Sequence, residues 1–147
     1  MKRHHAILLG CLLCWLAPAE ADARTTFHDL SAQQAAESET GKAKLLDLPF
    51  YMSGQKHAKI AREFGVFTSN RRTNAFNKSD EAACEIAFLS AIIALQNRAK
   101  ELGADAVVDI KSITKHNDLD SATDYRCAAG GMIANVALTG RIVGFEK

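Results

Sequence analysis

The chain predicts an α+β fold: one long helix packed on a mainly antiparallel sheet of about four strands, ordered β-β-α-β-β and held by one disulfide. Three observations carry this expectation. The one long run of helical periodicity covers residues 79–102. Short apolar runs of strand length lie on either side of it, and the last alternates apolar and polar residues over 131–143. Cys84 falls in the helix and Cys127 just ahead of that final strand. At 147 residues the chain is expected to hold a single domain.

Residues 1–23 show the three-part pattern of a secretory signal. Lys2, Arg3, His4 and His5 form a basic head, residues 6–17 are apolar, and small residues follow. Ala21-Asp22-Ala23 suits the signal peptidase, with cleavage between Ala23 and Arg24; Ala19-Glu20-Ala21 also fits and would leave Asp22 first. The apolar run is about a dozen residues, whereas a permanent bilayer span takes about 20. It therefore reads as a removable signal and places the mature chain in the periplasm. Leu8-Leu9-Gly10-Cys11 looks like a lipoprotein site, but the apolar run continues past it through Leu12, Leu13, Trp15 and Leu16. That continuation argues against acylation at Cys11.

Residues 24–44 are rich in Ala, Gln, Ser, Glu and Thr and read as a flexible arm or a short peripheral helix of low order. The α+β domain is expected over 45–147. Its first strand covers 45–52, with Phe50 and Tyr51, and Pro49 sets it at an edge or beside a bulge. The polar stretch 53–57 makes a turn. A second strand covers 60–69 on Phe64, Val66 and Phe67, and 70–78 is a polar loop in which Arg71-Arg72 reads as a solvated turn.

The helix is the strongest element. Ser79 can cap its start, Asp80 and Glu81 suit the positive end of the dipole, and Gly103 can take the left-handed turn that ends it. Cys84, Phe88, Ile92, Leu95, Ala99 and Leu102 fall on one stripe, which turns Cys84 toward the core. A second apolar row, Ala82, Ile86, Leu89 and Ile93, lies more than a quarter turn away. One sheet cannot cover both rows, so either the arm or another subunit must cover the second. This is the basis for expecting a homo-oligomer as one alternative.

After Gly103, residues 104–113 read as a largely buried strand on Ala106, Val107, Val108 and Ile110. Residues 114–126 are charged and read as an exposed loop. In the last strand Met132, Ala134, Val136, Leu138 and Ile142 alternate with Asn135, Thr139 and Arg141, which gives one covered face and one wetter face.

Formal net charge is +1, with acidic and basic residues interspersed, so the footprint of a nucleic-acid binder is missing. Cys11 and Cys14 form a C-x-x-C inside the discarded segment and carry no functional weight. Cys84 and Cys127 are left as an even pair in an oxidising compartment, and a disulfide between them is the leading reading. It would close a loop of about 44 residues, which the chain-entropy model equates with about 4 kcal/mol. Cys84 as a thiolate activated by the helix N-terminus is the competing role, disfavoured by its place on the core stripe.

For metal binding the mature chain offers His28, His57 and His116, none at the spacing of a metal site. His116 with Asp118 and Asp120 is the best oxygen and nitrogen cluster, and solvated turn is its plainer reading. No metal, cofactor or catalytic residue is expected. The reading is a non-enzymatic envelope binding or structural module with an unidentified envelope protein partner. Its surface would be the wet face of the last strand, the 114–126 loop or the second helix row. A periplasmic metal-binding protein is the alternative, and a thiol-redox protein ranks behind it.

Asn97-Arg98-Ala99-Lys100-Glu101-Leu102 running into Gly103-Ala104-Asp105-Ala106-Val107-Val108 resembles the YbjQ-like and RcsF-like superfamily. The approach Asn74-Ala75-Phe76-Asn77-Lys78-Ser79-Asp80-Glu81, a cysteine in the helix, and Tyr125-Arg126-Cys127-Ala128-Ala129-Gly130-Gly131 are similar to small exported proteobacterial proteins of that neighbourhood. The resemblance covers residues 45–143 and implies a compact α+β unit, ring assembly or envelope sensing among relatives, and a heavy-metal label. The single cysteine pair and the poor lipoprotein site depart from the RcsF pattern, so its signalling role does not carry over. Members are sometimes labelled excinuclease ATPase subunits, which these residues do not support. Gly41-Lys42 is followed by Ala43, and the phosphate-loop glycine five positions earlier is Ala36.

Overall fold

The protein is described by a computed structural model over residues 24–147, so the expected signal segment, with Cys11 and Ala23, lies outside the described residues. It is an α+β fold in which a mixed sheet of six strands carries one long helix on one face. Strand β1 (Thr26–Ser31) is followed by two short helices, α1 (Ala32–Glu37) and α2 (Glu39–Lys44). Then come β2 (Phe50–Met52), β3 (Ile60–Asn74), the long helix α3 (Asp80–Glu101), β4 (Ala106–Ser112), a 3-10 turn at Thr114–His116, β5 (Asp124–Ala129) and β6 (Ile133–Phe145).

The long helix forms where its local signals place it. Ser79 Oγ accepts from the Ala82 N–H at 3.1 Å, and Asp80 and Glu81 occupy the first turn. At the other end Gly103 takes φ +68°, which lets the Ala104 N–H reach the Ala99 carbonyl at 2.9 Å and closes the last turn. Cys84, Phe88, Ile92, Leu95 and Ala99 are all buried against the sheet. From β6 they meet Ala134, Val136, Leu138 and Ile142, the apolar half of its alternation.

Strand β6 organises the sheet. β3 runs antiparallel along the whole of one side of it, from Ile60 opposite Phe145 to Asn74 opposite Ile133. Its other side is shared: β4 pairs with the C-terminal half, and β5 touches only Asn135 and Ala134. Outside β4 lies β2, the one parallel pairing, and outside β5 lies antiparallel β1.

Six strands replace the expected four, and each difference has a physical source. The segment read as a loose arm or a short peripheral helix carries two short helices, α1 and α2, and also an unexpected strand, β1, which pairs with β5 over its full length. Ala32 and Ala35 of α1 then join the core. Gly41 permits the tight turn between the short helices, since a Cβ there would stand 2.3 Å from the Ala35 carbonyl oxygen. β5 lies at the end of the stretch read as an exposed loop, and its Tyr125 is buried, stacked on Phe88 with centroids 4.0 Å apart. The expected loop at 70–78 is strand as far as Asn74, so Arg71-Arg72 is not a turn but a strand segment held by β6. The first expected strand shrinks to Phe50–Met52, an edge strand with a register shift beside Pro49.

The arm packs beside α3, and the second helix row is covered only in part. Leu89 of that row is buried, while Ile86 and Ile93 are half-buried and Ala82 is exposed. Ser38, between α1 and α2, donates to Glu85 on α3 at 2.8 Å. Farther along, the buried Gln96 accepts from the Leu46 N–H at 3.0 Å and donates to the Leu48 carbonyl at 2.7 Å.

Cys84 and Cys127 are joined by a disulfide with Cα atoms 5.7 Å apart. Both are fully buried, so the bond ties the N-terminal part of α3 to β5 inside the core. Among the described residues, no helix is long and apolar enough to cross a membrane.

Candidate functional site

The helix covers one face of the sheet; the other is open over much of its area. A small cluster of Ala106, Val108 and Val143, screened by Tyr51, Ile60 and Phe145, closes one end of that face. At the other end two hollows of about 520 and 600 Å³ share Arg72, Lys115 and Asn135 in their walls and so form one trough.

The trough exists because β4 and β5 divide one side of β6 between them. Ala137 falls in the gap between the two pairings, and its backbone groups need other partners. Its carbonyl accepts from the Ile113 N–H at 2.8 Å, and its N–H donates to Thr114 Oγ1 at 3.0 Å. Thr114 Oγ1 donates in turn to the Arg126 carbonyl at 2.8 Å, so a fully buried threonine pins the loop into the gap.

The chain must turn sharply after that plug. Lys115 (φ 49°) and His116 (φ 58°) are consecutive left-handed residues, and neither is glycine. Each such residue costs about 1–2 kcal/mol. Strain of this kind persists only where the surroundings fix the backbone, and such positions cluster at binding sites. Arg126 supplies more of that fixing. Its guanidinium makes a two-pronged pair with Asp29 at 2.7 and 2.8 Å and donates to Asn117 Oδ1 at 2.6 Å. The hydrogen bonds from Arg126 hold the Asp29 carboxyl below its usual range, against an opposing effect of burial. The turn leaves Lys115 and His116 exposed on the trough wall.

Arg72 stands across from them on β3, and Asn135 lies on the floor, donating to Asn70 Oδ1 at 2.6 Å and to the Arg71 carbonyl at 2.9 Å. Among the described residues, Arg72, Lys115 and His116 have no carboxylate within ion-pair distance. Arg24 at the far end is already committed to Asp80 at 3.0 Å, and Asp118 is the one acidic residue in the walls. Met132 and Ile133 give that far end an exposed apolar lip.

The residues weighed for metal binding are dispersed. His28 donates through Nε2 to Asp80 at 3.0 Å, His57 stacks on Phe145, and Asp120 pairs with Lys111 at 2.7 Å. Only His116 and Asp118 share a hollow. Among the described residues, no group of three or more His, Cys, Asp or Glu side chains is placed to share a metal ion.

Two of the surfaces named from sequence, the wet face of the last strand and the 114–126 loop, meet in this trough. Sequence reasoning missed Arg72 as a wall residue. The adjacent Arg71-Arg72 pair was visible, but not that a strand would send one arginine to each face. Comparison with protein-family models, curated proteins and solved structures gives no match.

Proposed function

We propose that the protein is an exported binding module of the cell envelope without catalytic activity, and that the trough holds a ligand through a compact anionic group, a carboxylate or a phosphate. The observation that carries this is the strained turn at Lys115 and His116, facing an equally unpaired Arg72 across a polar floor. Arg72 and Lys115 are cations without acidic partners among the described residues, and an anion between them relieves their repulsion.

The signal-like first 23 residues support export, and a fully buried disulfide suits an oxidising compartment. Burial of both sulfurs also speaks for a structural bond over a redox one, because exchange needs a thiolate to reach the sulfur. Kinship with the YbjQ-like and RcsF-like proteins belongs to the same proposal and rests on the residues around Gly103, Cys84 and Cys127.

The test is an amide NMR titration of the mature protein with sodium phosphate and, separately, sodium acetate at low ionic strength. Saturable shifts centred on Arg72, Lys115, His116 and Asn135 are expected, and their loss in an Arg72→Gln, Lys115→Gln double variant. The reading fails if no saturable shifts occur at millimolar anion, or if the double variant responds as the parent does. Intact mass of the envelope-purified protein tests export, with a chain beginning at Arg24 or Asp22 expected.

A further inference from the structure

Strand β3 is the longest in the sheet, 15 residues, and β6 occupies only one of its sides. Among the described residues, no strand pairs with its other side. From Val66 to Asn74 the pairing with β6 runs without a register shift, so the free edge there is regular as well. A row of unpaired N–H and C=O groups of this length is a template for another strand, and proteins usually blunt such edges with charged side chains, proline or a bulge. The bulges of β3 lie before Val66, no proline interrupts the stretch beyond it, and its only charges are Arg71 and Arg72. Val66, at 66 % exposure, is the most exposed large apolar side chain among the described residues.

The charges on this edge indicate its occupant. Arg71 and Arg72 are adjacent, so their side chains leave opposite faces of the sheet. Arg72 lines the open-face trough, while Arg71 lines a separate hollow with Leu95 and Arg98 on the helix face. Neither has a carboxylate partner among the described residues. The acid of the strand, Glu63, is already paired with Arg141 and lies before the regular stretch. Pairing two copies antiparallel about Asn70 would set the two Arg71 side chains diagonal to each other on one face, like charges with no carboxylate between them. A strand with two adjacent carboxylates would instead place one beside each arginine.

We infer that the free edge of β3 between Val66 and Asn74 accepts an extended acidic segment of a partner protein by strand addition, with adjacent Asp or Glu residues meeting Arg71 and Arg72. Main-chain hydrogen bonds supply the affinity in this mode, and the flanking charges supply the register. The surface extends past the trough, and its test differs from that of the anion reading.

The probe is a fluorescein-labelled ten-residue peptide with two adjacent glutamates flanked by threonine and valine, capped at both ends, followed by anisotropy with the mature protein. Two controls carry N-methyl groups on one or the other alternate set of amides, with charge unchanged. Strand addition requires that only one set abolish binding, since only one set of amides faces β3. Arg71→Glu, away from the trough, is expected to weaken binding by at least about tenfold, while Lys56→Gln, an exposed residue outside both the edge and the trough, leaves it within about twofold. If both methylated peptides bind like the parent and Lys115→Gln abolishes binding, the trough alone is holding the carboxylates and the inference is overturned. Absence of binding overturns it too, as does a dimer in light scattering that Val66→Lys dissociates, which would assign the edge to a second copy.

Discussion

Opening the Cys84–Cys127 bond should remove about 4 kcal/mol of stability and do so mainly through the unfolded chain. The bonded residues are 43 apart in sequence, and a loop of that size corresponds to roughly 13 cal/mol/K of lost chain entropy, or about 4 kcal/mol at room temperature. A domain of this size has about 5–15 kcal/mol in total, so the reduced protein should still fold, marginally. The assay is urea unfolding of the oxidised protein and of protein reduced in denaturant and refolded under dithiothreitol. Reduction leaves both sulfurs in place, so the fully buried site keeps nearly its volume and cavity formation is a minor contributor. With a slope of about 2 kcal/mol/M, the midpoint should fall by about 2 M. The slope itself should rise, because a reduced unfolded chain exposes more surface. A Cys84→Ala, Cys127→Ala variant should lose more, through the cavity left by two sulfurs. A midpoint shift below about 0.5 M on reduction, at an unchanged slope, would refute the reasoning.

Gln96→Leu keeps the volume of a buried side chain and strands the Leu46 N–H and Leu48 carbonyl that it now satisfies. A loss of about 2–4 kcal/mol in urea unfolding is expected. Thr114→Val removes the hydroxyl that bridges Arg126 and Ala137. It should cost about 2–3 kcal/mol, and amide exchange should accelerate at Lys115 and His116, with the phosphate-induced shifts lost. Acid should also weaken the fold. The Arg24 hydrogen bond to Asp80 and that of Arg126 to Asp29 hold both carboxyls below their ordinary values. Their stabilising contribution is therefore complete above about pH 4, where the unfolded carboxyls ionise, and is lost as pH falls through the lowered folded values. The urea midpoint should decline below about pH 4, and less steeply in an Asp29→Asn, Asp80→Asn variant.

The helix could be read from the chain because its determinants are local. Ser79, Asp80, Glu81 and Gly103 act within a few residues of where they stand, and the stripe from Cys84 to Ala99 needs only the helical period. The alternation in β6 is local in the same sense, and it marks Ala134, Val136, Leu138 and Ile142 as the face under α3; Met132, counted with them, lies ahead of the strand and is exposed, and Asn135 on the other face is buried. The disulfide pairing followed from counting. What stayed hidden is everything whose hydrogen-bond partner is remote. Arg71 to Asn74 are polar and read as loop, yet they are strand because β6 is long enough to offer them partners. Residues 26–31 carry little apolar signal, and they form β1 because β5 presents an edge to them. The trough is the extreme case. It depends on a gap between β4 and β5 along β6, on Thr114 filling that gap, and on the left-handed turn that follows. Side-chain period and end caps are encoded residue by residue, but a gap between two strands exists only once the sheet has been assembled.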